Sequence, residues 1–312
     1  MTTIASTTEV ARRVPAWMTW APRLALGWAA TYGGVRVWFA TGHEPTWKLP
    51  YDLLIPDWWS AAACLASAAV VVALTARPRS RLLMGLAWAG VAGWVAACAL
   101  ILLDLVGGVL PGLGIPFDVP GLFSRLGGLT GAVLLGGTAL AHRRQLSPDC
   151  LKCSRAKPWV GVPSTPRWAL LGAWVAVAGC VTRIVAQAAV GFGAAPYGGG
   201  LSTVLFEGGF LLAGTVLPLL LVYRLGRIFP RWMLLWPGAG LGTGITAYFG
   251  VGLLQMIVAA LNGEPEYAEG NLLPESFFWV AVPAYVVWGV GLATATYGYY
   301  LRTRTPCKGC GR

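Results

Sequence analysis

His142-Arg143-Arg144-Gln145-Leu146-Ser147-Pro148-Asp149-Cys150-Leu151-Lys152-Cys153 closes one long apolar stretch of this chain. Leu301-Arg302-Thr303-Arg304-Thr305-Pro306-Cys307-Lys308-Gly309-Cys310-Gly311-Arg312 closes another. Each ending runs from basic residues through a proline to a Cys-x-x-Cys. Two apolar blocks ending alike point to a duplication, to an orientation and to a metal site at once.

The blocks themselves are too apolar for a water-facing fold. Apolar residues make up 56% of the 312 positions and charged residues only 11%, whereas soluble domains carry roughly a quarter charged residues. Mean hydropathy is +0.65. A chain this poor in charge belongs in a bilayer, where a spanning helix needs about 20 apolar residues. The apolar runs are continuous, not alternating, which selects helices over a barrel. The expectation is an all-α polytopic membrane protein with about eight spans. They are Trp20 to Ala40, Trp58 to Ala76, Leu82 to Val106, Leu122 to Ala141, Trp168 to Val190, Val204 to Tyr223, Trp232 to Leu261 and Phe277 to Tyr300.

Every second connection is basic. Arg12, Arg13 and Arg23 lead into span one; Arg77, Arg79 and Arg81 follow span two. Six cations from Arg143 to Arg167 follow span four, Arg224, Arg227 and Arg231 follow span six, and Arg302, Arg304, Lys308 and Arg312 follow span eight. The remaining connections carry acids, among them Glu44, Asp52, Asp57, Asp118, Glu264 and Glu275. Lys and Arg favour the cytoplasmic side, so both termini are expected there, in a plasma membrane. Rich use of Ala, Gly, Val and Arg adds a compositional pointer to a GC-rich bacterial source. No small-residue cleavage site follows the run behind Arg12-Arg13, which reads as a positive flank and not as a signal peptide. The net charge of +11 reflects this asymmetry and not a nucleic-acid surface. The basic face attracts anionic lipid and offers a docking surface for a partner protein.

The halves match beyond their endings. Pro22-Arg23 opens span one and Pro166-Arg167 opens span five, and each of these spans holds one deep arginine, Arg36 or Arg183. Four spans per unit is an even number, so both copies lie the same way up, as two parallel four-helix repeats about a pseudo-two-fold axis. The divisions are an N-terminal segment 1–19, a first repeat 20–153, a proline-rich linker 154–166 and a second repeat 167–312.

Two cytoplasmic Cys-x-x-Cys pairs supply four thiolates, the number a closed structural zinc site takes. Cys150, Cys153, Cys307 and Cys310 are the expected Zn²⁺ ligands, and a single site would tie the halves together. A redox dithiol or an iron–sulfur centre uses the same spacing, but the reducing compartment disfavours a disulfide role. Cys64, Cys98 and Cys180 stand alone in apolar runs and read as small buried hydrophobes.

Charges inside the spans are the remaining functional signal, because each costs at least ~2.5–3.5 kcal/mol at the bilayer centre. Arg36 and Arg183 lie about 16 residues into their spans, about 24 Å along a helix. Asp104 and Gln255, entering from the same cytoplasmic side in spans three and seven, reach a similar or slightly higher level, with Glu207, Arg125 and Asp57 nearby. The candidate constellation is Arg36, Asp57, Asp104 and Arg125 in one half and Arg183, Glu207 and Gln255 in the other. These residues form either structural ion pairs, Arg36–Asp104 and Arg183–Glu207, or an outward-facing polar pocket. The tryptophans near span ends form an aromatic belt. The Gly238–Gly244 run is read as a close-packing surface, with an unwound cavity-lining segment as the alternative. No histidine pair, nucleophile–base pair or phosphate loop stands out. The function classes are a transporter or small-molecule-binding protein, a non-catalytic subunit that docks a partner, and a membrane enzyme with an outer-leaflet site.

Overall fold

The computed structural model describes residues 15–49, 51–77, 79–110, 113–146, 164–191, 200–263 and 273–304. Helices joined by turns and irregular connections make up these residues, with no strand among them. The helices are α1 (Ala16–Ala40), α2 (Asp57–Ala76), α3 (Arg81–Ala97), α4 (Ile101–Val109), α5 (Val119–Leu146), α6 (Arg167–Val190), α7 (Leu201–Leu211), α8 (Leu217–Val222), α9 (Arg231–Asn262) and α10 (Glu275–Arg302).

Prolines set many of the starts. Pro15, Pro56, Pro166, Pro230 and Pro274 sit at the N-caps of α1, α2, α6, α9 and α10. A helix start leaves backbone N–H groups unpaired, so a residue without one costs nothing there. α3 instead starts behind Ser80, whose Oγ accepts from the Leu83 amide at 3.3 Å, the usual serine cap. α9 ends at Gly263, whose φ of 72° is the left-handed stop that glycine adopts without strain.

Six helical units are long and apolar enough to cross a membrane: α2, α5, α6, the α7–α8 unit, α9 and α10. α3 and α4 make a seventh if counted together, bent by 41° at their junction. The expected third span is thus broken in two. α1, at 25 residues, is long enough, but Arg23, Arg36, its glycines and its indoles dilute its apolar character. Within α7–α8 the helix widens into a π turn at Leu212–Val216, directly before Pro218. Proline has no N–H and crowds the carbonyl four residues back, and a wider turn relieves both. Pro22, Pro237 and Pro283 lie inside unbroken helices, so the Gly238–Gly244 run is not unwound.

Within the first half α1 packs on α2 and α5, and α3 packs on α5; within the second, α6 packs on α8 and α10, and α9 packs on α10. The halves meet where α3 and α4 lie against α9, with Leu102 reaching the second core. The two cores are built differently. In the first, Trp28, Tyr32 and Trp94 form an aromatic cluster seated on the glycines of α5: a Cβ on Gly131 would meet the Trp28 ring at 2.1 Å. In the second, helix backbones touch. A Cβ on Gly291 would stand 2.6 Å from both Ala176 N and Gly172 O of α6, and one on Gly242 would stand 2.8 Å from Ala293 N of α10. Small residues at such crossings are how membrane helices gain close contact.

At one end of the second half Arg302 donates to the carbonyls of Val222 at 2.9 Å and Leu221 at 3.0 Å. It thereby pairs carbonyls that the end of α8 leaves open. At the opposite end of the first half lies the charged cluster.

Candidate functional site: a buried ionic layer beneath an acidic cavity

Arg36 is fully buried near the end of α1. Its Nε donates to Ser60 Oγ at 2.6 Å, its Nη2 to Asp57 at 2.9 Å, and its Nη1 to Ser124 Oγ at 3.2 Å. Nη1 also binds Asp52 directly. Asp52 is in turn the acceptor for Ser124 Oγ at 2.7 Å and for the Leu53 amide at 2.7 Å. Arg125, also fully buried, donates from Nε to the Asp52 carbonyl at 2.7 Å and from Nη2 to the Tyr51 carbonyl at 2.7 Å. Its Nη1 binds Asp104, and Asp118 Oδ2 stands 3.9 Å from Nη2.

The expected Arg36–Asp104 pair therefore does not form. Asp104 belongs to Arg125, because the bend at Cys98–Leu100 turns α4 towards the start of α5. Arg36 takes Asp52 and Asp57, which face it across the α1–α2 hairpin. Asp52 and Asp118 were expected in outward loops with the other acids, yet both are buried. The connection around Asp52 folds inward, anchored by Leu53, which is 2% exposed, and by the Leu54 amide, which donates to the Ala97 carbonyl at 2.9 Å. The break after Ala97 frees that carbonyl. A sequence signal for this burial was present: apolar residues flank both acids, Tyr51 and Leu53 on one, Phe117 and Val119 on the other.

In the second half Arg183 does pair with Glu207, at 2.6 and 2.8 Å, and donates from Nε to Tyr285 Oη at 2.7 Å. Gln255 does not join this pair. It is exposed on α9 and faces the first half, where it lines a cavity with the inward-folded connection. Cys150, Cys153, Cys307 and Cys310 lie outside the described residues, so the expected zinc site does too. Among the described residues no cluster of three His, Cys, Asp or Glu side chains could hold a metal ion. Cys64, Cys98 and Cys180 are buried free thiols.

The cavity holds about 460 Å³. Glu44, Asp52 and Asp57 contribute carboxylates to its wall, Trp47 and Tyr51 contribute rings, Gln255 closes one side, and among the described residues no Lys or Arg lines it. Glu44 lies within hydrogen-bonding reach of Asp57 and accepts from Trp47 Nε1 at 3.0 Å. Two adjacent carboxylates repel unless a proton or a cation lies between them. Arg36 supplies one positive charge from below, paired with Asp52 and Asp57, against three carboxyl groups in the wall.

No family model, curated protein or solved structure matches this chain, so its function is argued from this geometry.

Proposed function

We propose that the chain is a multi-pass plasma-membrane protein of eight spans, arranged as two parallel four-helix repeats, that binds a small cation in a pocket at its outer face. The observation that carries the ligand class is the cavity of about 460 Å³ whose wall, among the described residues, holds three carboxylates, two aromatic rings and no Lys or Arg. Carboxylates attract the charge, and an indole or phenol face attracts a desolvated cation further. Arg36 and Arg125 are engaged by carboxylates and carbonyls beneath the cavity, so they hold its floor and not its ligand.

Three features support the repeat. The matched arginines Arg36 and Arg183 each pair with a carboxylate of the next helix unit. The first and third units of each half both pack on the fourth. Each half also carries a Cys-x-x-Cys ending. The orientation rests on the alternation of basic and acidic connections, which puts the acidic cavity outside and the four cysteines inside, where they would hold one Zn²⁺. A transporter and a binding protein both need this pocket. A subunit that docks a partner is the second reading, favoured by α9, which buries only Leu234, Gly238, Gly242, Ile245 and Met256 along its 32 residues.

The test is equilibrium binding of tetramethylammonium to the purified chain in phosphatidylcholine nanodiscs, followed by tryptophan fluorescence or calorimetry. Saturable binding is expected, weakened about tenfold (about 1.4 kcal/mol) by Glu44→Gln. Absence of saturable cation binding, or an affinity indifferent to Glu44→Gln, removes the proposal.

A further inference from the structure

Ile55 and Pro56 form a wall between two spaces. On one side is the acidic cavity. On the other is a groove of about 550 Å³ between α2 and α3, with Leu135 of α5 also in its lining. The groove is almost wholly apolar, bounded by Trp59 and Val70 on α2 and by Leu86 and Gly93 on α3. Its one hydroxyl, on Ser67, already donates to the Ala63 carbonyl at 2.8 Å and accepts from Trp94 Nε1 at 3.0 Å. Nothing in it requires a polar partner. It is kept open by small residues: a Cβ on Gly93 would meet nothing within 4 Å. Along α3 the lining runs from Leu86 to Ala97, about 16 Å at 1.5 Å per residue.

Resting on the cation-binding reading above, we propose that cavity and groove form one site for a single amphiphile, with an amine or quaternary ammonium head in the acidic cavity and an alkyl tail between α2 and α3. Charge complementarity selects the head. The carboxylates repel a phosphate-bearing anionic head, so ordinary acidic lipid is excluded from the polar end. Ile55 and Pro56 belong to the lining of both spaces, so the two ends are adjacent around these residues, and the polar-to-apolar order from cavity to groove matches that of the molecule. Lipid tails alone can enter the groove, but they gain nothing from Glu44, Asp52 or Asp57. The site thus favours a cationic amphiphile over both a small cation and a neutral lipid.

The experiment compares dodecyltrimethylammonium with tetramethylammonium in phosphatidylcholine nanodiscs, for the unmodified chain, Glu44→Gln, Gly93→Leu and Ala66→Leu. Ala66 lines the groove and is exposed, so its substitution threatens folding least. Partition of the long-chain ligand into lipid is common to all variants and cancels in the comparison. Expected is an about tenfold loss of dodecyltrimethylammonium affinity (about 1.4 kcal/mol) in both groove variants, with tetramethylammonium unchanged. Glu44→Gln should weaken both ligands. Groove variants that leave the long-chain ligand unaffected, or that weaken both ligands equally, overturn the amphiphile site while the cation pocket stands. A Glu44→Gln variant without effect on either ligand removes the pocket itself.

Discussion

Arg125 is fully buried, and each of its hydrogen bonds goes to a group drawn from another segment. Asp104 and Asp118 share it, and one oxygen of each, Asp104 Oδ1 and Asp118 Oδ2, has no hydrogen-bond partner among the described residues. Removing the shared cation leaves two buried carboxylates without compensation. Arg125→Leu should therefore cost on the order of 3–5 kcal/mol, read as a fall in the thermal unfolding midpoint in detergent. Asp118→Asn keeps the acceptor for the Gly121 amide, which sits at 3.2 Å. It should cost at most about 1 kcal/mol, the net worth of one hydrogen bond. Arg183→Leu should fall between them, since the Glu207 side chain is 24% exposed and can rehydrate. Equal losses for Arg125→Leu and Asp118→Asn would contradict this ordering. The buried arginines were legible in the sequence because a charge in an apolar run stands out. Their partners were not. Acids between spans default to solvent, and only the inward fold of the connection makes Asp52 and Asp118 interior residues.

At the scale of helices, glycine divides into two kinds. Gly291 abuts the backbone of α6, which cannot rotate away as a side chain can. Gly291→Ala should separate α6 from α10 and lower stability by about 1–3 kcal/mol, as overpacking does. Gly240, on α9, has open space where a Cβ would go, so Gly240→Ala should be neutral or stabilising by up to about 1 kcal/mol through helix propensity. Unfolding midpoints of the two variants check the contrast, and a loss at Gly240 as large as at Gly291 would refute it. A glycine-rich helix was readable as a packing surface, but which glycines touch depends on rotation about the helix axis, which composition does not encode. The bend between α3 and α4 was hidden for another reason. Cys98-Ala99-Leu100 contains no proline or glycine, and the apolar run continues through it. What holds the break open is a contact from elsewhere, the Leu54 amide on the Ala97 carbonyl.

For the whole molecule, the duplicated Cys-x-x-Cys endings carry one more expectation. The purified chain should contain about one zinc per molecule, the stoichiometry of a closed four-thiolate site. Cys310→Ser should lower that content by elemental analysis and loosen the tail to protease; unchanged zinc would show that these thiols are not the ligands. The apolar helices of a membrane protein were legible because a bilayer imposes length and apolarity on a crossing, although six helical units meet that test, seven with the bent pair, against the eight expected. The placement of charge was less so, because it depends on which segments meet. That placement has a consequence for how the chain is made. Arg36 finds Asp52 and Asp57 only 16 and 21 residues later. Arg125 emerges after all its partners, with Asp104 21 residues behind it. Arg183 meets Glu207 after 24 residues but waits 102 for Tyr285. A ribosome delivering this chain in order thus hands the membrane a first half that can neutralise its own arginines before the second begins, while the second stays incomplete until its last helix arrives.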